Sequence, residues 1–395
     1  SSEKYFDVNY TQLDSGNFSF KAYAQDSLGN VNETEEREVG VNLNTAPNIP
    51  VIAINSTDGS NKTLQNLNCY ATLSDDDSDS LNVTVKWYKN GVLNLTRYYN
   101  NSYSSGNAFN AILGNGNTTK GQNWSCSVMI YDGQAYSGWG NSSNLTVLNT
   151  LPIVTLSSPS NWDKTTNRTP EFTWVGSDDD SDAMTYDFNI TDYKFSGASS
   201  CTDSRLAGDL NGFNYIPASD LMCLHDNGYY YKWRVRANDG EGDGSWSSDF
   251  VVNITASISI LMIQDEVSFS ALTPLDNNND TIDNNPEPFV LENNGNSLIN
   301  VSVNSSALWN TQQTESDYYQ FKVDNYSGEG GAFTWLSSVV DWFNFPLSGN
   351  VVAIDRLNYS DVKDSAEIDV RVELPPNEDP GAKGAIVVFT GGLAE

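Results

Sequence analysis

The amino-acid sequence predicts an all-β fold of tandem sandwich modules with a distinct C-terminal β-sandwich, and three observations carry that prediction. A strand–turn–strand pattern recurs at Phe18–Asn44, Trp124–Asn149 and Tyr231–Ile254. Each copy is an alternating strand, a turn centred on Asp26, Asp132-Gly133 or Asp239-Gly240, and a second strand; repetition at this scale marks tandem β-modules. Two copies are followed by matching connectors, Asn44-Thr45-Ala46-Pro47 and Asn149-Thr150-Leu151-Pro152. Helical periodicity is confined to one short stretch near Trp335–Phe343. The two downstream copies each close a module of about 100 residues, enough for a sandwich.

Residues 1–44 hold strand patterns at Tyr5–Tyr10, Phe18–Ala24 and Glu36–Leu43, too few to bury a core of their own. They read as an incomplete half-domain whose missing strands come from a neighbouring subunit. Removal of earlier strands, with Ser1 a processed or cut end, and packing within the same chain are the alternatives. Residues 45–149 form the first complete module. Its Cys69–Leu73 and Val83–Tyr88 segments alternate, and Asn90-Gly91 is a hairpin turn signal. Residues 150–255 form the second, with strands expected at Glu171–Val175, Met184–Ile190 and Tyr229–Ala237. Residues 256–395 are the C-terminal sandwich, read as an assembly domain. No Gly or Pro occurs from Ser247 to Leu272, which predicts that the last strand of the second module runs straight on. Further along, Phe289–Val303 reads as a hairpin, Ala366–Leu374 alternates, and Gly384–Thr390 is a buried-strand run.

In the first module Cys69 and Cys126 flank Trp87. This order and rough spacing resemble the inter-sheet disulfide and buried Trp of immunoglobulin domains, and the resemblance implies a bond between Cys69 and Cys126. In the second module PEFTW at Pro170–Trp174 and YYYKWRVRANDG at Tyr229–Gly240 resemble a fibronectin type III-like domain; such motifs specify a fold and not an activity. Cys201 and Cys223 close a long insertion there. An even cysteine count placed within modules reads as structural disulfides in an oxidising compartment. Broadly, the chain resembles archaeal or bacterial surface proteins built from immunoglobulin-like repeats.

The chain has 395 residues and a formal charge of -31, with a pI near 4.1, which makes nucleic acid and anionic membrane poor partners. Its apolar stretches, Ile258–Ile263 among them, are too short to cross a bilayer. N-x-[S/T] sequons are dense. They fall at Asn9, Asn17, Asn32, Asn55, Asn61, Asn82, Asn94, Asn100, Asn117, Asn123, Asn141, Asn144, Asn167, Asn189, Asn253, Asn279, Asn300, Asn304, Asn325 and Asn358. An Asn-, Ser- and Thr-rich β protein collects some sequons by accident, but this density favours a secreted glycoprotein bearing N-linked glycans.

The string SDDDSD occurs twice, at Ser74–Asp79 and Ser177–Asp182, each time between the second and third strands of a module. In a sandwich that loop shares an end with the loop joining the last two strands. Asp75, Asp76, Asp77 and Asp79 are therefore expected near Asp132, and Asp178, Asp179, Asp180 and Asp182 near Asp239, Glu241 and Asp243. Carboxylates gathered at a module junction suit Ca²⁺, a hard cation that takes six to eight oxygen ligands. The logic resembles that of cadherin-type rods, though the cadherin ligand motifs are absent. Solvated acidic turns are the equally weighted alternative. A third candidate, Asp276–Asp283, alternates Asp276, Asn278 and Asp280 much as an EF-hand-like loop does, with Asp283 as a further carboxylate, but Thr281 stands where glycine is required.

One histidine, His225, and no Cys/His or Ser/His constellation exclude transition-metal and nucleophilic catalysis by residue type. Carboxylates abound, but they sit on repeated loops, which suits structure better than a single catalytic cleft. The aromatic cluster Trp309, Tyr318, Tyr319, Phe321, Phe333, Trp335, Trp342, Phe343 and Phe345 reads as core first, and as a sugar platform or subunit contact second. The expectation is a non-enzymatic extracellular filament or surface-layer subunit that polymerises head-to-tail with copies of itself, as archaeal surface threads and bundling pili do. A cell-surface adhesin and the accessory region of a secreted hydrolase are the alternatives.

Overall fold

The computed structural model describes residues 7–195, 200–273 and 279–394. The chain divides into two compact units, Ser1–Leu151 with Asp178–Asp182, and Pro152–Ser177 with Ala183–Glu395. Both are β throughout, and the short helical stretch expected near Trp335–Phe343 is a single 3-10 turn, Trp335–Ser337.

In the first unit, one sheet orders the strands Ile52–Ser56, Leu67–Thr72 and Ala108–Leu113. The other orders Gly140–Asn141, Asn123–Tyr131, Leu81–Lys89 and Val92–Tyr103, with Leu145–Thr146 also on Asn123–Tyr131. Strict alternation along Leu81–Lys89 turns Leu81, Val83, Val85 and Trp87 into the core. Asn90 and Gly91 both take positive φ and close the hairpin between Lys89 and Val92, as a two-residue turn requires. Cys69 and Cys126 are bonded across the two sheets, and Cys126 stands opposite Trp87 in register.

Residues 7–43 form only two ribbons. Gly16–Phe20 pairs with Arg37–Val41, and Tyr23–Gln25 pairs with Val31–Glu33. The strand expected at Tyr5–Tyr10 does not form over its described residues, and the one expected at Phe18–Ala24 is split in two. No residue from 7 to 46 is buried.

The second unit carries two sandwiches. The first packs Ile153–Ser158, Phe172–Ser177 and Asn214–Tyr215 against Asp163–Thr165, Phe250–Ile254, Tyr229–Asn238, Thr185–Lys194 and Arg205–Leu210. Phe172, Trp174, Phe188 and Trp233 fill its core, and the disulfide between Cys201 and Cys223 pins the insertion. In the C-terminal sandwich Ile260–Gln264, Phe289–Asn293, Ser365–Val372, Tyr319–Asn325 and Phe343–Asn344 form one sheet. Val351–Leu357, Ile299–Ser305 and Val387–Leu393 form the other.

Three sequence expectations for this region are corrected. Phe289–Val303 is not a hairpin: its two strands lie in opposite sheets. Asn293 makes the crossing, its Nδ2 donating to the carbonyls of Ser297 at 2.8 Å and Leu357 at 3.1 Å. The segment after Ser247 is not one strand, because Phe250–Ile254 ends before Ile260–Gln264 starts. Asp226 accepts from the Ala256 amide and Asn296 from the Ser257 amide in the gap, replacing ladder bonds. The run Gly384–Thr390 is an edge strand, shifted to Val387–Leu393, that alternates instead of being buried throughout. The aromatic cluster divides. Trp309, Tyr319, Phe321, Phe333 and Phe345 are core, whereas Trp335 and Phe343 are exposed and Trp342 lies under Arg371, 4.1 Å from its ring centre.

The two sandwiches of this unit are bolted together. Arg168, only 6% exposed, donates to the carbonyls of Leu221 (3.1 Å) and Asn296 (2.9 Å) and to the Tyr359 hydroxyl (2.8 Å). Residues 152–177 and 183–395 group as one unit where the sequence suggests two domains, and the Arg168 set is one of the contacts inside it.

Candidate metal centre

The Asp75–Asp79 loop leaves the buried strand Leu67–Thr72 and folds on itself. Oδ1 of Asp75 accepts the amides of Asp77 (2.9 Å) and Asp79 (3.2 Å). These bonds turn the carboxylates of Asp75, Asp77 and Asp79 towards one point, and oxygens of all three lie within 4.8 Å of one another. Oxygens that close can share one Ca²⁺ at about 2.3–2.6 Å. Asp75 is 4% exposed, and its Oδ2 is buried with no hydrogen-bond partner among the described residues. A buried carboxylate oxygen with no donor costs free energy unless a charge answers it.

The connector Asn44–Asn48 runs along this loop. The Thr45 amide donates to Asp77 Oδ2, Asn48 Nδ2 donates to Asp76 Oδ1 at 3.1 Å, and the Asn48 amide donates to the Ser74 carbonyl at 3.0 Å. Asn44 Nδ2 donates to Asp132 Oδ2 at 3.0 Å, while Asn44 Oδ1 is buried with no hydrogen-bond partner among the described residues. Asp132 is thus not a fourth member of the carboxylate group. Its Oδ1 caps its own turn through the amides of Gln134 (2.7 Å) and Ala135 (2.6 Å). Burial pushes its pKa up, but those amides and Asn44 outweigh burial and hold it below the ordinary value.

The second loop repeats the pattern. Asp178 Oδ1 accepts the amides of Asp180 (2.8 Å) and Asp182 (3.1 Å). The Thr150 amide donates to Asp180 Oδ2 at 2.7 Å, and Asp178 Oδ2 is buried with no hydrogen-bond partner among the described residues. One difference stands out. Lys120 pairs with Asp182 and Thr63 donates to Asp180, so side chains of the first unit already answer part of this charge. Asp239 caps its own turn as Asp132 does, through the amides of Glu241 (2.8 Å) and Gly242 (2.7 Å). Asp76 and Asp179 are exposed.

The EF-hand-like reading of Asp276–Asp283 is not supported by its described part. Asp276 and Asn278 lie outside the described residues. Asn279–Asp280 is a short strand on Ser365–Val372, Asp280 faces Arg371 at 3.8 Å, and Asp283 caps the Asn285 amide at 3.1 Å. Thr281 is fully buried, donating to Asp369 at 2.7 Å. Strand pairing and a guanidinium partner occupy what a calcium loop would need free.

Among the sequons, Asn253 is corrected as a glycan site. It is 2% exposed, with Nδ2 donating to the Asp163 carbonyl at 3.3 Å, and the folded chain has no room there for a sugar. His225 is half-buried, its Nδ1 3.2 Å from the Tyr229 carbonyl and its ring edge-on to Phe195. Sequence reasoning missed the roles of Asn44, Thr45 and Thr150. The repeated Asn-Thr connector was the available signal, visible as a repeat but not as a set of donors and acceptors.

No protein-family model and no curated protein matches this chain. Among solved structures, it is similar to the PKD domain of an M14-like peptidase from Thermoplasmatales archaeon SCGC AB-540-F20, at 18% identity over 27% of this chain and 99% of that one, with a TM-score of 0.22. It is also similar to the FN1-FN3 domains of chicken CNTN1, at 12% identity over 87% of this chain and 99% of that one, with a TM-score of 0.25. The all-β tandem-sandwich fold therefore rests on the sheets themselves.

Proposed function

We propose that this chain is a structural glycoprotein subunit of an extracellular filament or cell-surface layer, joined head-to-tail to further copies of itself. The observation that carries the reading lies in the N-terminal ribbons. Val8, Tyr10, Phe20, Tyr23, Leu28, Val31, Val39 and Leu43 stand 46–86% exposed there, and two-stranded ribbons leave open edges on both sides. Strands from a second copy would cover those faces and satisfy those edges through main-chain hydrogen bonds. A contact between unlike surfaces that does not close into a ring propagates a fibre. The acidic loops fit this role as Ca²⁺ sites. A cation held by Asp75, Asp77 and Asp79 would stiffen the connector at Asn44–Asn48, and the sequons and disulfides suit the outside of a cell.

Negative-stain electron microscopy of the purified protein, with calcium and with a chelator, tests the proposal. Fibres in calcium that are lost in the Phe20→Asp/Val39→Asp variant are expected. Separate monomers of the unaltered chain in both conditions would refute it. A second reading, an adhesin on spacer modules, draws on Trp335, which remains 41% exposed in the C-terminal sandwich; glycan binding abolished by Trp335→Ala would favour it.

A further inference from the structure

The two sandwiches of the second unit meet around a cavity of about 560 Å³. Arg205, Asp220 and Met222 line it from one sandwich, and Asn358, Tyr359 and Ser360 from the other. That volume lies within the range of about 300–1,000 Å³ that small ligands occupy. Asn358-Tyr359-Ser360 is a sequon, and the opposite sandwich holds its middle residue. The Tyr359 hydroxyl accepts from Arg168 and donates to Asp220, both at 2.8 Å, which fixes Asn358 on the cavity wall. Asn358 Oδ1 accepts the amides of Tyr359 (2.7 Å) and Ser360 (3.2 Å). Its Nδ2, the atom to which a glycan bonds, makes no hydrogen bond among the described residues, and Asn358 is only half-buried. Asn253, buried and with its Nδ2 engaged, fails on both counts.

We propose that Asn358 carries an N-linked glycan whose first sugars occupy this cavity and bridge the two sandwiches beside Arg168. The inference rests on the reading of the chain as a secreted glycoprotein. In the modification, Asn358 Nδ2 bonds to the anomeric carbon of a phosphate-activated, lipid-linked oligosaccharide. The lipid phosphate leaves with the bonding pair, and the nitrogen gives up one proton. The walls carry a guanidinium, Arg205, and a carboxylate, Asp220, so a charged ligand would meet a like charge on one of them. A neutral sugar, whose hydroxyls both donate and accept, suits both. Met222 is 56% exposed, and its side chain can shield the C–H face of a pyranose from water.

The test uses the full chain produced in a host that N-glycosylates secreted proteins and, as reference, in one that does not. Ser360→Ala removes the sequon hydroxyl but keeps the Asn358 bonds, which use only the Ser360 amide. Ser360→Thr keeps the sequon. Glycopeptide mass spectrometry reads occupancy at Asn358 and at the exposed Asn144, and melting is then compared. Asn358 is expected to be occupied. From the glycosylating host, Ser360→Ala should lower Tm by about 2–4 °C and Ser360→Thr should not; from the other host neither should change it. Combined with Met222→Ala, the Ser360→Ala shift should shrink, as groups in contact couple. An occupied Asn358 whose loss leaves Tm unchanged, or lowers it equally with and without Met222→Ala, would overturn the seat. A bare Asn358 beside a modified Asn144 would overturn the site. If no sequon carries sugar, the secreted-glycoprotein reading falls and this inference falls with it.

Discussion

Asn44 Nδ2 donates to Asp132 Oδ2 at 3.0 Å, and the next residue, Thr45, donates its amide to Asp77. Two consecutive connector residues thereby hold two loops that are 55 residues apart in sequence (132 minus 77). Asp75 Oδ2 and Asn44 Oδ1 at the same end have no hydrogen-bond partner among the described residues, and the proposed cation would answer them. Calcium at 100-fold over its Kd should stabilise the first sandwich by about 2.7 kcal/mol. Calorimetry in calcium and in chelator should show one unfolding transition that moves, and Asp75→Asn should abolish the movement. A transition that is unchanged by calcium would remove the metal from this account.

Glycines that face the chain entering each of the first two sandwiches make a second prediction. A Cβ on Gly140 would lie 2.0 Å from the Pro50 carbonyl oxygen, and one on Gly244 would lie 2.1 Å from that of Pro152. Only glycine lets the incoming chain press so close to the sheet. Gly140→Ala should therefore cost about 1–3 kcal/mol by forcing backbone apart. Gly116→Ala, whose Cβ would meet nothing within 4 Å, should be nearly neutral. Urea unfolding of the two variants compares them directly.

Strands buried on one face were legible because alternation is a direct record of burial. Leu81–Lys89 and Tyr229–Asn238 extend the expected segments by only a residue or two. The Asp75–Asp79 and Asp178–Asp182 loops were legible as a repeat. Where the chain chooses between sheets, local pattern was silent. Asn293-Asn294-Gly295-Asn296 signals a turn whether the next strand pairs with the last or crosses to the opposite sheet, and Asn293 bonding to Leu357, 64 residues on, decides it. The lack of Gly and Pro after Ser247 could not reveal that Asp226 and Asn296 interrupt the strand. Likewise, Asn44 joins the candidate site through the path of the connector, which no residue pattern encodes.

Arg168 supplies a third prediction. Its guanidinium is buried against two carbonyls and Tyr359, with Asp220 at 3.7 Å, and Asp220 also accepts from the Tyr359 hydroxyl at 2.8 Å. Arg168→Ala leaves the two carbonyls and Tyr359 without this donor and should cost about 1.5–3 kcal/mol. Tyr359→Phe, which removes a single hydroxyl, should cost about 1 kcal/mol. Beyond stability, losing the bolt should split the unfolding of residues 152–395 into two urea transitions. One retained cooperative transition would show that the two sandwiches are coupled by other contacts.

The last prediction concerns acid. The Lys383 ammonium, with the Thr311 hydroxyl and the amides of Thr311 and Asn310, holds the Glu378 carboxyl down at about 2 against an ordinary 4.5. A carboxylate whose pKa is lower in the folded chain adds stability that is complete above its unfolded pKa and is lost as pH falls through the folded one. This contribution should thus be whole above about 4.5 and fade towards 2. Asp364 and Glu292 act in the opposite sense: burial raises both, with neighbouring carboxylates adding to it, so protonation relieves them as pH falls. Comparing the parent with Glu378→Gln cancels those groups. The difference between their urea midpoints should be constant from pH 7 to 5 and shrink between pH 4.5 and 2. A difference that stays constant to pH 2 would mean that Glu378 does not hold the Pro375–Gly384 loop against Asn310 and Thr311 through its charge.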